Sequence, residues 1–297
     1  MPVHELAALG AALCWAVTGI LGAGPAAALG PLGFGRLRHL LVTAMLLVAV
    51  LVGGVWHDVT AAQILPLILS GLIGIFVGDT VLYFCMLRLG PRRTGALFAL
   101  NAPIAALLGW TMLDETLSGQ AILGIVLCAA GVMLAVLGRP GRSGGHRFEA
   151  VRGNVWAGIA LGLLAALGQA VGSLIARPVM ETGIDPVAAS LIRVGTAAAS
   201  LTILMALPVA GLKQTGRITP RILGQTALSG FLAMGLGMTL LLFALSGGKV
   251  GIVSTLSALS PVFILPVLWA ITGARPSVTS WVGAIIAVAG MALVFLR

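Results

Sequence analysis

ALNAPIAALLGW, residues 99–110, and ALSPVFILPVLW, residues 258–269, share a pattern that appears once in each half of this chain. Both begin with Ala-Leu, reach a small polar residue and then a proline, and end in an apolar run closed by tryptophan. Two further pairs match in the same order, ALCWAVTGI (12–20) with ALGQAVGSL (166–174) and PLGFGRLRH (31–39) with PVAASLIRV (186–194). The offsets stay between 154 and 159 residues, so the sequence predicts two copies of one unit.

The composition indicates that both copies lie in a membrane. Hydrophobic residues make up 59% of the chain, charged residues 8%, and the mean hydropathy is +1.13, whereas a soluble domain carries roughly 25% charged residues. The apolar runs are each near the ~20 residues that a helix needs to cross a bilayer. We therefore predict an all-α polytopic membrane protein with ten transmembrane helices. The predicted spans are 6–24, 34–54, 63–88, 93–113, 118–138, 153–177, 186–209, 219–245, 249–271 and 277–296.

One long polar stretch, RPGRSGGHRFEAVRGN at 139–154, divides the chain near its midpoint. The predicted organisation is a first five-helix repeat at 1–138, an Arg- and Gly-rich linker at 139–152, and a second five-helix repeat at 153–297. A unit of five spans crosses the membrane an odd number of times. The second copy must therefore be inverted relative to the first, as in many secondary transporters.

The basic residues predict the orientation. Seventeen lysines and arginines are present, and most lie in or beside the loops after odd-numbered spans. That group is Arg36, Arg38, Arg88, Arg92, Arg93, Arg139, Arg142, Arg147, Arg152, Lys213, Arg217, Arg221 and Arg275, against Arg177, Arg193, Lys249 and Arg297 on the other side. The richer side is expected to be cytoplasmic, which places both termini in the periplasm. The net charge of +9 is explained by this bias, and no nucleic-acid partner is expected.

Enzyme chemistry lacks its usual parts in this sequence. The four histidines are scattered, and neither H-E-x-x-H, G-x-S-x-G nor a phosphate-binding glycine loop followed by lysine occurs. Cys14, Cys85 and Cys128 all fall within predicted spans, where a thiol behaves as a small hydrophobe. We expect no catalytic residue, no metal and no cofactor.

Three features repeat at the same places in both units. Each unit has an arginine near the start of its second span (LRHLL, LIRVG), a proline in its fourth, and a glycine pair seven residues apart in its fifth. The pairs are Gly124 with Gly131 and Gly283 with Gly290, and this spacing puts each pair on one helix stripe where backbones can approach closely.

These features, over essentially the whole chain, resemble the EamA family of the drug/metabolite transporter superfamily. The resemblance implies an inner-membrane carrier for small metabolites that is often driven by protons. Family members typically end the fourth-span motif with Gly-Glu followed by Thr or Ser. Here the first half has Asp114-Glu115 and the second has Gly273-Ala274, so the acid of the motif is present in the first half alone.

Asp79 is the one acidic residue of eight that lies well inside a predicted span. A charged aspartate there costs about 2.5–3.5 kcal/mol on insertion scales, and an isolated carboxylate tends to take up a proton instead. Such a group meets the physical requirement for proton coupling. Permanent pairing with an arginine, or a neutral acid hydrogen-bonded to a neighbouring helix, would explain Asp79 equally.

Other polar residues in the spans are candidate substrate contacts. Tyr83 shares a helix face with Asp79 and either serves the site or faces the lipid headgroups. Asn101 lies at a similar depth. Pro103 and Pro261 loosen the backbone at matching places in the two halves, and Ser257 and Ser260 lie beside the second proline. These places are either part of a transport site or simple kinks. Trp15 and Gln169 occupy aligned positions and are either a cavity wall and an inward-facing amide, or packing residues.

Arg38 and Arg193 form a matched pair, each about two turns into the second helix of its unit. Inversion places them near opposite membrane faces, so they are candidate gate or anion contacts, unless they only extend to the headgroups.

These patterns together favour a secondary transporter for a small, amphipathic, amino acid-like or drug-like metabolite. Its partners are expected to be that solute and the lipid bilayer, with Asp79 as the proton-coupling residue. The alternative is an uncoupled, channel-like or lipid-moving protein of the same fold.

Overall fold

The structure is a computed structural model, and it describes residues 3–137, 154–207, 214, 216–272 and 277–295. The predicted linker at 139–152 and the Gly273-Ala274 pair lie outside the described residues. The described residues form helices and short turns, without a β-strand among them. The helices are α1 (Val3–Leu29), α2 (Pro31–Gly53), α3 (Ala61–Gly71), α4 (Gly78–Phe98), α5 (Asn101–Met112), α6 (Gly119–Leu137), α7 (Val155–Glu181), α8 (Pro186–Ala206), α9 (Pro220–Gly230), α10 (Met238–Gly247), α11 (Val250–Ser257), α12 (Ser260–Thr272) and α13 (Val278–Phe295).

The helices have the length and surface that a bilayer requires. Seven helical stretches of the described chain are long and apolar enough to cross a membrane, and three shorter apolar helices lie at 3–18, 250–266 and 278–294. Large apolar side chains such as Val52, Leu51 and Ile285 are exposed on the outside of the bundle. A helix satisfies its own backbone polar groups, so these faces are suited to lipid. The chain is therefore an all-helical, multi-pass membrane protein, as predicted.

The two predicted glycine pairs meet each other along α6 and α13. A Cβ atom added at Gly124 would lie 2.7 Å from the carbonyl oxygen of Gly290, and one added at Gly131 would lie 2.6 Å from that of Gly283. The two helices thus run antiparallel with their backbones in direct contact, which confirms the predicted close approach.

Two other helix pairs cross between the halves in the same antiparallel sense. Along α7, Gly172 faces Gly74, and Gly162 faces Cys85. The Ser70 hydroxyl donates to the carbonyl of Gly172 at 2.5 Å in the same contact. In the corresponding pair, α1 packs against α9 and α10. Each half therefore contributes its first helix to a contact with the third span of the other half.

The fourth and ninth spans are broken at matching places. A turn at 99–100 separates α4 from α5, and a turn at 258–259 separates α11 from α12. A proline, Pro103 or Pro261, follows each break by three or two residues and cannot donate the helical hydrogen bond of its position. In the first half the carbonyl of Ala99 instead accepts from the N–H of Ala102 at 3.4 Å. The chain also turns back within α4, although its helical hydrogen bonding continues to Phe98. Cys85 Sγ lies only 3.3 Å from Thr94 Oγ1, nine residues later in the sequence. A straight helix would separate these residues by about 13 Å along its axis, so the chain reverses direction between them.

Two π-helical segments, Leu72–Val77 and Phe231–Gly237, join α3 to α4 and α9 to α10. They fall at equivalent places in the two halves, within the glycine-rich runs SGLIGIFVG and SGFLAMGLG. The sequence did not predict them. A π segment widens the helix by about one residue per turn and is often found at functional sites. The first segment ends two residues before Asp79, and the second ends directly before Met238, which holds the position equivalent to Asp79.

Candidate functional site

Asp79 is the second residue of α4, directly after the first π segment. Its Oδ2 atom lies 3.5 Å from Arg38 Nη2 and 3.5 Å from His39 Nε2, both on α2. The Asp79 side chain is 20% exposed and that of Arg38 13% exposed. Oδ2 accepts no direct hydrogen bond, so the carboxylate is held by charge at a distance slightly longer than a hydrogen bond.

Arg38 is fixed by contacts on three sides. Its Nη2 donates to the Tyr83 hydroxyl at 2.9 Å, and its guanidinium carbon lies 5.1 Å from the centroid of the Phe34 ring. On the third side, a Cβ atom added at Gly230 would lie 2.9 Å from Arg38 Cγ. Tyr83 therefore accepts from Arg38, one helical turn after Asp79, and belongs to the same polar group as predicted from their spacing.

His39 completes this group from within the core. Its side chain is buried, and neither ring nitrogen has a hydrogen-bond partner among the described residues. Arg38, His39, Asp79 and Tyr83, here called the Asp79 cluster, thus combine a carboxyl group, an imidazole, a guanidinium and a phenol between α2 and α4. Groups of this kind inside a membrane mark proton or ion pathways in many transporters.

Arg193 occupies the equivalent position in the second half but has a different environment. Its side chain is fully buried on α8. Nη1 donates to Met238 Sδ at 3.2 Å, while Nε and Nη2 have no partner. On its other side, the backbone of Arg193 packs on Gly71. The two arginines therefore have different partners, and their placement near opposite membrane faces stays a prediction.

Trp15 and Gln169, which align in the two halves, each lie against a π segment. Trp15 Nε1 donates to the carbonyl of Ala233 at 2.9 Å, so its polar atom is engaged between α1 and the second π segment. Gln169 is half-buried on α7, with its backbone 3.9 Å from a Cβ atom placed on Gly78. Its side chain has no hydrogen bond within the described part of the chain. The polar atom of Trp15 thus has a partner in the protein, whereas the amide of Gln169 is free among the described residues, and the roles of both as substrate contacts stay predictions.

The polar residues at the helix breaks are engaged locally. Asn101 Nδ2 donates to the carbonyl of Phe98 at 2.7 Å, and Ser257 Oγ donates to that of Ser254 at 3.1 Å. Ser260 is half-buried as the first residue of α12. No hydrogen bond joins Asn101 to Asp79 in the described residues. These side chains therefore cap the two breaks rather than extend the Asp79 cluster.

A second charged group, which the sequence analysis did not single out, lies at the end of the bundle where α5 and α7 end and α11 begins. Glu115 Oε2 accepts a hydrogen bond from the backbone N–H of Val250 at 2.8 Å, at the start of α11. Its other oxygen lies 3.5 Å from Arg177 Nε, and Arg177 Nη1 lies 2.6 Å from Glu181 Oε1. Lys249 Nζ donates to the carbonyl of Thr116.

We call Glu115, Arg177, Glu181 and Lys249 the Glu115 latch, because they tie together three segments from both halves. The Glu115 side chain is only 10% exposed. Burial raises the pKa of its carboxyl, against the lowering effects of the Val250 N–H, Arg177 and Lys249. The hydrogen bond from Gln63 Nε2 to Thr182 Oγ1, 2.7 Å, closes the same end between α3 and α7. The signal that could have found the latch was the Asp114-Glu115 pair in the fourth-span motif.

Comparison with known proteins assigns the family. The EamA-like transporter family matches residues 3–137 and again residues 156–296. The chain belongs to this family. EamA proteins form part of the drug/metabolite transporter superfamily and are transporters, not enzymes. The two matches give the chain the two-repeat EamA architecture.

Solved structures agree with the EamA assignment at the level of the fold. Twenty-nine chains of solved structures match. One of them, a crystal structure, has a TM-score of 0.78 at 20% sequence identity and covers 99% of this chain and 96% of its own. No curated protein matches.

EamA membership gives a reason for the conformation of Asp114. This residue has φ of +52° and is the one non-glycine residue with positive φ among those described. The family motif resembled by this stretch places glycine at that position. Left-handed backbone is natural for glycine and is tolerated by aspartate better than by most other residues. The turn that presents Glu115 to Val250 is therefore retained here with an aspartate in the glycine position.

Proposed function

We propose that this EamA protein is a secondary transporter of the cytoplasmic (inner) membrane. It moves a small amphipathic metabolite by alternating access, and Asp79 couples that movement to protons. The observation that carries the proposal is the Asp79 cluster, an acid–base group held between α2 and α4 well inside an apolar bundle.

The proposed architecture is ten spans in two inverted five-helix repeats. Three kinds of contact support it: α6 with α13, α7 with the third span, and α1 with the eighth span are each antiparallel pairs between the halves. A pair of equivalent helices can be antiparallel only if the halves point in opposite directions. With the basic loops in the cytoplasm, both termini and the Glu115 latch lie on the periplasmic side.

The two ends of the bundle differ in a way that fits one state of an alternating-access cycle. At the Glu115 end, the latch and the Gln63–Thr182 hydrogen bond join the halves, and Arg193 below them is fully buried. Toward the other end, Arg38 and Asp79 retain partial exposure. Opening would break the latch on one side while the breaks at 99–100 and 258–259 and the π segments absorb the change.

Proton coupling follows from the partners of Asp79. When Asp79 is ionised, Arg38 and His39 hold it and α2 stays on α4. A proton on the carboxylate removes this attraction, and Arg38 then keeps only its neutral partner Tyr83. Protonation therefore weakens one specific contact between two helices, which is the differential stabilisation that a coupled carrier needs.

The solute is expected to be mostly apolar with few polar anchors. The buried faces around both π segments are lined by glycine, alanine, leucine and methionine, with Gln169 as a free amide. Such a lining suits amino acid-like or drug-like solutes better than multiply charged ones.

The test begins with a thermal-shift screen of the purified protein against amino acids and amphipathic metabolites, because a bound ligand raises apparent stability. The ligand found is then followed into proteoliposomes with and without an imposed pH gradient. Wild type should accumulate it uphill; Asp79→Asn should keep exchange but lose accumulation, and Asp79→Glu should retain part of it. Normal accumulation by Asp79→Asn would overturn the coupling assignment. Flux that ignores the gradient in wild type would instead support the uncoupled facilitator.

A further inference from the structure

Arg193 differs from Arg38 and Arg177, the arginines of the two charged groups, in having neither an acid nor a hydroxyl partner among the described residues. Arg38 has Asp79 and Tyr83, and Arg177 has Glu115 and Glu181. Arg193 is completely buried and meets one weak sulfur acceptor, Met238 Sδ. A buried charge without a counter-charge is costly.

The two halves show how this situation arises. VGDTVLY (77–83) corresponds to LGMTLLL (236–242), so Met238 stands at the place of Asp79 and Leu242 at that of Tyr83. The arginine is present in both copies, while both oxygen partners are present in the first alone. The cation therefore persists where its internal counter-charge has been replaced by an apolar side chain.

The free part of the guanidinium has a defined shape. Nε and Nη2 lack partners, and these two nitrogens form one edge of the planar group, with parallel N–H bonds. That edge matches the two oxygens of a carboxylate, which it binds in bidentate fashion. A single carboxylate would also neutralise the single charge, whereas a phosphate dianion would leave a net negative charge in the apolar interior.

The free edge lies against the first π segment. A Cβ atom added at Gly74 would lie 3.4 Å from Nη2 and 3.1 Å from Cα of Gly172, so this side is closed and an oxygen ligand enters only when the segment moves. The opposite side of the guanidinium faces Met238, whose neighbour Thr239 pairs with Ser190 at 3.0 Å between their hydroxyl oxygens.

Resting on the proposed transport function, we infer that Arg193 binds the carboxylate of the transported solute. The substrates are then amphipathic monocarboxylates, with the carboxylate at Arg193 and the proton at Asp79 in separate halves. The carboxylate reaches Arg193 when the Glu115 latch and the Gln63–Thr182 contact open.

The inference is tested by equilibrium binding to the purified full-length protein, with phenylacetate and leucine as probes and with phenylacetamide and leucinamide as counterparts that lack the carboxylate. The two carboxylates should raise the melting temperature of wild type in a saturable way, and the amides should not. Arg193→Met should weaken the carboxylate response about tenfold or more. Its ligand-free melting temperature should equal or exceed that of wild type, because an uncompensated buried charge has been removed.

Two further variants keep the test decisive. Met238→Asp restores the acid found in the first half, so it should pair with Arg193, stabilise the ligand-free protein and abolish the carboxylate response. Arg221→Gln removes an exposed positive charge on α9 and should respond as wild type does. Failure of both carboxylates to stabilise wild type, or an undiminished response in Arg193→Met, would overturn the inference.

The outcome is separable from that of the proposed function. Binding is measured without a bilayer or a gradient, so an uncoupled carrier would still show it. Gradient-driven uptake that survives in Arg193→Met would contradict the inference and leave transport intact. Carboxylate binding at Arg193 without any uptake would support the inference and contradict the proposed transport function.

Discussion

Replacing Gly131 by alanine should separate the two halves at the contact between α6 and α13. A Cβ atom at this position would lie 2.6 Å from the carbonyl oxygen of Gly283 and 2.8 Å from Cα of Ala287. Both are backbone atoms of α13, so no side-chain rotation relieves the overlap. The nearest backbone atom, the nitrogen of Ala287, lies closer still, so an ordinary contact distance of about 3.5 Å requires the helices to move apart by roughly 1 Å.

The cost of such overpacking is typically about 1–3 kcal/mol, and the better helix propensity of alanine returns about 1 kcal/mol. The net loss is therefore about 0–2 kcal/mol. Gly224→Ala is the matched control, because Gly224 lies within α9 and nothing lies within 4 Å of its added Cβ. That variant should gain up to about 1 kcal/mol from propensity alone.

Both variants are measured by thermal or SDS-induced unfolding in the same detergent. The expected order of stability is Gly224→Ala, wild type, Gly131→Ala, and the two variants should differ by the overpacking cost of about 1–3 kcal/mol. Equal stability of Gly131→Ala and Gly224→Ala would refute the close backbone contact between α6 and α13.

Three other predictions concern the two charged groups. Asp114→Gly should be more stable to thermal unfolding than Asp114→Ala by about 1 kcal/mol, because only glycine adopts φ of +52° freely; the reverse order would contradict this reason. Glu115→Gln keeps an acceptor for the Val250 N–H but cannot ionise. In wild type, burial raises the pKa of Glu115 above its usual 4.5, so the carboxyl group holds its proton more tightly in the folded protein than in the unfolded chain. Wild type should therefore lose stability relative to Glu115→Gln as pH rises from about 4.5 through the raised pKa, measured as the difference in melting temperature; a difference that grows in favour of wild type would show that its ion pair dominates. Tyr83→Phe removes the acceptor of Arg38 and should lower the free energy of unfolding by about 1–2 kcal/mol, and unchanged unfolding would mean that this hydrogen bond is not formed.

Much of the fold follows from one-dimensional patterns. Apolar runs of bilayer length predict the helices, and a proline such as Pro103 or Pro261 predicts a break because its effect is confined to its own turn. The seven-residue glycine spacing predicts a stripe and hence a close contact. These features depend on neighbours in sequence, so the sequence contains them directly.

The site was predicted less completely because it depends on how spans meet. Asp79 was identified from its cost in an apolar segment, but its partners Arg38 and His39 come from another helix and were not assigned to it. Glu115 looked like an ordinary loop acid, since its contact with Arg177 exists only once the halves pack antiparallel. Asn101 was expected to neighbour Asp79 from its depth alone, whereas its side-chain amide donates to the carbonyl of Phe98 across the break between α4 and α5.

The first π segment sets the direction in which Asp79 points. A wider turn holds about one more residue than an α-turn, so α4 is rotated by roughly 100° relative to the continuation of α3. That offset lets one continuous span present Gly71 to α8 and Asp79 to α2. If the first π segment adopted regular α-helical geometry, the Asp79 carboxylate would rotate around the helix axis and lose its contact with Arg38. This change would need no rigid-body tilt of the bundle. A change of winding in these six residues is thus sufficient to form or break the contact between Asp79 and Arg38.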